Sequence, residues 1–437
     1  MIQSDRNAKR SIAVTLSFVA AGTVSLLTGM CWLIVRPDIL ATYHYNQHVI
    51  AVTHLFTLGW ICSAVMGSIY QLVPVALETN LHSERLARAH FLLHLIGFTG
   101  MVWMFRAWNI KGVGYFGFIL ATGVLVFAYN IGRTLTSILR WNVVAVGIAS
   151  ALGWLVLAIL AGLLVAAAKL WPISSFDPIR QMHAHAHLGG LGFLMILIVA
   201  VSYKLIPMFG LSELQNQSRA WTSLALLNVG MAGLFVTILF GSALKLLFAI
   251  VVISGLGLFG CELIAILRVR KRRIMDWGMK YFLTAIALLA PLCVLAIVLS
   301  SPGVTLNDFT GRLENVYGLI ALLGVVTLAI LGMLYKIVPF LVWYSRYSPD
   351  IGRMKVPALV DLYSVRLQTI GYWLFLGGLV LTSLATLFGH AACAQKGAAL
   401  WFASIIVFAA NMVKISHHLF KPGTESLPMN AALKGVS

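Results

Sequence analysis
The sequence predicts an all-α fold, a polytopic membrane bundle of about 12 transmembrane helices, on three observations. Of its 437 residues, 60% are hydrophobic and only 10% are charged, where an ordinary soluble domain carries roughly a quarter charged. Apolar runs of the roughly 20 residues needed to cross a bilayer follow one another almost end to end. A signature segment then recurs three times, at a spacing of about four such runs.

The first run, 11–35, follows Arg6, Lys9 and Arg10 and invites comparison with a signal peptide. Its apolar stretch exceeds the roughly 7–15 residues of a signal core, and more spans follow at once, so it reads as the first membrane helix. The others are expected over 46–76, 89–107, 112–134, 143–169, 183–209, 219–240, 243–267, 279–300, 313–343, 367–390 and 397–419. Connections are short. The longest, Trp171–Gln181 and Tyr344–Arg366, could not hold a folded domain. The chain therefore reads as a single membrane domain over 1–437, with short cytoplasmic tails at 1–10 and 420–437.

The net charge of +18 raises the question of nucleic acid. No detachable basic domain exists, and the densest cluster is the short Arg268–Arg273 stretch between two apolar runs. With the N-terminus cytoplasmic, Arg36, Arg106, Lys111, Lys169, Arg180, Lys245, Arg312 and Lys396 fall outside, and the remaining 23 of 31 basic residues fall inside or near inner helix ends. That asymmetry is a topology signal, with both termini cytoplasmic, and no nucleic-acid partner is expected. The five cysteines, Cys31, Cys62, Cys261, Cys293 and Cys393, have no CxxC spacing and read as small apolar fillers.

The signature runs from His54 to Pro74, from His187 to Pro207 and from Leu319 to Pro339. Without a gap the three share a Leu-Gly pair (Leu58-Gly59, Leu191-Gly192, Leu323-Gly324) and a Tyr-x-x-x-Pro ending (Tyr70/Pro74, Tyr203/Pro207, Tyr335/Pro339). Their offsets are 133 and 132 residues. Three four-helix units, about 11–134, 143–267 and 279–419, account for all the spans, with the signature on the second helix of each. Gly permits close helix approach, Pro stops or kinks the helix and Tyr suits the interface. The recurrence speaks for pseudo-threefold symmetry, which is a statement about fold only.

Twelve histidines are many for so apolar a chain. His44, His48 and His54 lie at the outer end of the second span, and His183, His185 and His187 at that of the sixth. His54 and His187 share one repeat position, where the third unit has Leu319. His183 and His187 stand at i and i+4 on one helix face. Such a run can bind copper or supply a haem axial ligand, and ionisable groups inside a membrane point to function by default. His44 and His48 read equally well as interface residues bonded to loop carbonyls. His90, His94, His82, His390, His417 and His418 read mostly as interface residues. Glu262 lies within a predicted span but near its inner end, and no acid is expected at the midplane where ion-coupled transporters need one. There is no phosphate-binding loop, no H-E-x-x-H and no CxxCH, which disfavours an ATPase, a metalloprotease and a c-type cytochrome.

With its HLFTLGW…YQLVP and HAHLGGLGF…YKLIPMF segments, the threefold four-helix pattern and the outer histidines on helices two and six, the chain resembles the haem–copper oxidase subunit I superfamily. It is most similar to the compact subunit-I-like and NnrS-related members. The resemblance implies that His54 is an axial ligand of a b-type haem and that His187, or its neighbours His183 and His185, holds copper. Cofactor contacts are also expected at His48 and at Tyr317, which stands near the same layer in the third unit. The oxidases carry a histidine pair on helix seven and H-x-H on helix ten. Span 219–240 here has no histidine, and the helix-ten region reads Glu314-Asn315-Val316-Tyr317-Gly318-Leu319. A complete oxygen-reducing centre is therefore not expected. The resemblance implies respiratory redox chemistry or nitric oxide metabolism in a bacterial inner membrane, with respiratory-complex subunits or a redox protein as partners. A copper transporter or channel, and a structural subunit without cofactors, stay open as rivals.

Overall fold
A computed structural model describes residues 2–305, 307–352 and 355–420. Its described residues form helices and short connections without a strand. Twelve helices are long and apolar enough to cross a membrane. They are α1 (Ile12–Val35), α2 (Gln47–Ala76), α3 (Glu84–Arg106), α4 (Ile110–Leu135), α5 (Val143–Ala168) and α6 (Pro178–Gly210), followed by α7 (Gln217–Leu239), α8 (Lys245–Arg268), α9 (Trp277–Ser300), α10 (Asp308–Asp350), α11 (Val365–Phe388) and α12 (Ala391–Phe420). Each matches an expected span, and the protein is a multi-pass membrane bundle. The expected tail 1–10 is, from Ile2 onward, the first turns of the helix that continues as α1. Of the tail 420–437, all but Phe420 lies outside the described residues.

Consecutive helices pair. The most extensive packing joins α3 with α4, α11 with α12 and α5 with α6, followed by α7 with α8, α9 with α10 and α1 with α2. Contacts of α4 with α5, α8 with α9 and α12 with α1 close these pairs into a ring. The centre belongs to three helices: α2, α6 and α10 are 61%, 72% and 61% buried in their most apolar stretch, against 50% or less elsewhere. The Trp60 indole N–H crosses that centre from α2 to donate to Thr327 Oγ1 of α10 at 3.1 Å.

Local chemistry explains how these three helices start at one end of the bundle, called here the histidine end. Asn46 caps α2 by accepting from His48 N. Asp177 caps α6, with Pro178 in the first turn, and Asn307 and Thr310 form a capping box at α10. Each cap satisfies orphan N–H groups that a helix end would otherwise expose. Each helix then widens into a π-helical stretch, at Leu55–Cys62, Leu188–Met195 and Ile320–Val326. The residue just before each stretch is His54, His187 and Leu319. The signature glycines sit inside these stretches and allow close approach. A Cβ on Gly59 would lie 2.8 Å from Ser25 of α1, one on Gly192 2.9 Å from Trp154 of α5, and one on Gly324 3.4 Å from Leu288 of α9.

Candidate cofactor site
Four of the predicted histidines, His54, His183, His185 and His187, line one cavity near the histidine end. Its volume is about 760 Å³, within the ~300–1,000 Å³ of sites that bury a sizeable ligand. His54 enters from α2, and His185 and His187 from α6. Each has Nδ1 against a main-chain carbonyl: His54 on Ile50 O at 2.7 Å, His187 on His183 O at 2.8 Å and His185 on Ala158 O at 2.9 Å. A carbonyl oxygen only accepts, so Nδ1 must carry the proton, and the neutral ring keeps its lone pair on Nε2. Metal-ligating histidines are oriented in this way.

Two of those bonds run from i to i−4 inside one helix and follow from local sequence. The third crosses from α6 to α5, where Gly162 makes room for the ring; a Cβ there would be 2.9 Å from His185 Cε1. Phe105 packs on the His54 ring at a centroid distance of 4.6 Å. Gly189, Gly190 and Gly318 line the same space, and a Cβ on any of them would meet nothing within 4 Å. Three cations also line it, Lys169, Arg180 and Lys245, each within a residue or two of a helix terminus at the histidine end. Lys169 is bonded to the Tyr45 hydroxyl. Tyr317 of α10 lies over His187, rings stacked at 6.4 Å and 22°.

The histidine run of α6 does not act as one cluster. Among the described residues, no three of His54, His183, His185 and His187 bring donor atoms within 4.8 Å of one another. His183 turns to the connection before α2, where its Nε2 is 2.9 Å from His44 Nε2. Burial pushes His44 down to about 4, so it is neutral at pH 7. Helical periodicity separates the α6 side chains: His185 faces α5 while His183 and His187 share the other face. His48, six residues before His54, is rotated off the cavity wall and sits 3.4 Å from the Gln47 amide.

Three interface assignments need correction. His90 and His94 are fully buried, at 0% and 1% exposure. The Tyr70 hydroxyl is 2.9 Å from His90 Nδ1, and His94 Nε2 lies 3.0 Å from Ser63 Oγ and 3.1 Å from Leu58 O. The face they share packs on α1, with the Phe18 ring 5.0 Å from His90. His418 is likewise buried, 2.7 Å from the Tyr347 hydroxyl. His82, His390 and His417 are exposed.

A solved haem–copper terminal oxidase dimer contains a chain that superposes with a TM-score of 0.65, over 95% of this chain and 85% of that one, at 11% identity. The chain has a haem–copper oxidase subunit I-like fold. The Cbb3-type cytochrome c oxidase subunit CcoN1 of Stutzerimonas stutzeri is 30% identical over 125 residues, 22% of this chain. The match spans only 26% of that relative's own length. No family model matches the chain.

The groups associated with a subunit I-like fold can be tested against the residues present. A haem needs an apolar slot, an imidazole with a free Nε2 and cations for its propionates. The cavity has all three, in its glycine-lined walls, in His54 and His185, and in Lys169, Arg180 and Lys245. From sequence, His44 reads as an interface residue as readily as a ligand, and Glu314 stands in a stretch marked only by the histidines it lacks. The one signal available was their position, at the start of the second and tenth spans.

Proposed function
We propose that the protein is a haem-binding redox protein of a bacterial inner membrane, built on the oxidase subunit I scaffold but without a complete oxygen-reducing centre. The observation that carries this reading is the shared orientation of His54 and His185. Each gives Nδ1–H to a carbonyl and so keeps its Nε2 lone pair, and both rings line the same cavity. In this reading His54 and His185 would hold a b-type haem, and Lys169, Arg180 and Lys245 would offset the charge of its carboxylates. His187, backed by Tyr317, lines the wall beside it. The bound haem would supply reversible one-electron chemistry at iron. The chain's own residues fix the ring tautomers, exclude water with apolar walls and offset negative charge at the mouth.

The incomplete centre is inferred from α7, which has no histidine, and from α10, where Leu319 stands at the place of His54 and His187. Such a protein fits respiratory electron transfer or nitric oxide chemistry, with respiratory subunits or a redox protein as partner. The three-unit organisation is part of the proposal. Its support is the recurrence of hairpin packing, π-helical stretch and signature glycine at one spacing. The basic-residue asymmetry supports a cytoplasmic location for both termini, with the histidine end outside.

Absorption and iron analysis of the purified protein test the reading. We expect a Soret band, about one iron per chain and a reduced-minus-oxidised spectrum of b type. His54→Ala and His185→Ala should each lose most of it, and His187→Ala should shift it without abolishing it. A protein with neither Soret band nor iron would sink the haem reading in favour of a copper channel or a structural subunit.

A further inference from the structure
We propose that His44, His183 and Glu314 form a binding site for one divalent transition-metal ion, Cu²⁺ or Zn²⁺, at the histidine end of the bundle. The three residues come from the starts of the three central helices: His44 from the connection before α2, His183 from α6 and Glu314 from α10. One ligand atom from each can be chosen so that all lie within 4.8 Å of one another. None of the three is a residue assigned above to the haem, and none stands on α7.

The spacing fits a ligand pair. Imidazole nitrogens bind such ions at about 2.0–2.1 Å, so two of them at right-angled to tetrahedral geometry stand about 2.9–3.4 Å apart. His44 Nε2 and His183 Nε2 are 2.9 Å apart. Glu314 Oε2 lies 3.4 Å from His44 Nδ1. These last two atoms are buried and have no hydrogen-bond partner. The plain alternative is a single hydrogen bond between two neutral imidazoles. It leaves both atoms orphaned, which buried polar groups rarely are. Metal binding through the two Nε2 atoms gives the carboxylate a partner: a Glu314 oxygen joins the two nitrogens as third ligand, since one donor atom from each residue lies within 4.8 Å of the others.

The scaffold around the donors is built. Asn315, next to Glu314, donates from Nδ2 to Thr42 O at 2.8 Å and so ties α10 to the connection that carries His44. The Tyr43 ring packs on His44 at 4.3 Å. His183 O receives the His187 proton, which fixes that turn of α6. Lys245 lines the same cavity but forms no salt bridge with Glu314 among the described residues. Two imidazoles and one carboxylate select Cu²⁺, Zn²⁺ or their first-row neighbours over Mg²⁺ and Ca²⁺, which prefer all-oxygen shells.

The test uses the full chain in detergent, stripped with a chelator and then exposed to Cu²⁺ alone or Zn²⁺ alone. We expect one ion retained per chain after desalting and, for Cu²⁺, an electron paramagnetic resonance signal with coupling to two nitrogens. His44→Ala and Glu314→Gln should each weaken retention at least tenfold while leaving any haem band in place. His54→Ala should do the reverse, so failure of this site and failure of the haem reading are separable. Adding Cu²⁺ to the Zn²⁺-loaded protein decides between the ions, since an unconstrained site of these donors prefers Cu²⁺. Retention of neither ion by the wild type overturns the proposal. So does undiminished retention by both the His44 and the Glu314 variants. Glu314→Gln keeps the side-chain volume, so its outcome stands even where His44→Ala disturbs folding.

Discussion

His54, His185 and His187 each direct one ring nitrogen at a carbonyl, and the consequence is chemical. A histidine whose Nδ1 is committed has one lone pair left, at Nε2. The glycines opposite matter as much. Gly190 lines the cavity with open space beyond it, so Gly190→Leu should fill the slot, lowering haem content several-fold with little change in thermal stability. Haem absorbance per protein, read beside a melting curve, checks that pairing. A different residue carries stability. Glu262 is fully buried and accepts from Gln215 N at 2.6 Å, Asn216 N at 2.9 Å and Arg219 Nη1 at 3.0 Å, which anchors the start of α7 to α8. Glu262→Ala leaves all three donors unpaired and should cost about 3 kcal/mol, read as a lowered melting midpoint in detergent. Arg219 is about a third exposed, which softens its share of that loss.

At the scale of elements, the feature that recurs is a capped helix start, a histidine or its substitute, and then a π-helical stretch. Such stretches re-aim side chains and are frequent at functional sites. Leu-Gly within the stretch lets α2, α6 and α10 press against α1, α5 and α9. Gly192→Val should drive a side chain into Trp154, whose Cβ lies 2.9 Å from where the new Cβ would stand. Overpacking of this kind costs roughly 1–3 kcal/mol, and a thermal melt of the variant measures it. The apolar spans, the signature and the helix-start histidines were all legible in sequence, because each is a local pattern of period 3.6 or of spacing along the chain. The partners of those histidines were not. His183 and His187 share a face, yet one turns to His44 and the other to its own helix, since a run of alternate histidines cannot aim three rings at one point. His90 and His94 read as interface residues because they stand near a helix end; the packing of α1 across that face buries them.

For the whole molecule, twelve spans put the start of α1 and the end of α12 at one end, and His44, His54, His183, His185 and His187 at the other. The charge asymmetry predicts that the histidine end is outside. A cysteine placed at Ser301, between α9 and α10, should react with an impermeant thiol reagent added to intact cells. One placed at Ser137, between α4 and α5, should react only after permeabilisation, and the reverse pattern would invert the topology. The sequence by itself determined the number of spans, their boundaries to within about seven residues, the signature and which helix starts hold the histidines. Those are consequences of hydrophobic length and local periodicity, which act on neighbours along the chain. Only the tertiary structure decided that α2, α6 and α10 meet at the centre. Only it made a cavity between them and brought His44, His183 and Glu314 together from positions far apart in sequence. Convergence of that kind depends on which helix packs beside which, and no stretch of sequence carries that information alone.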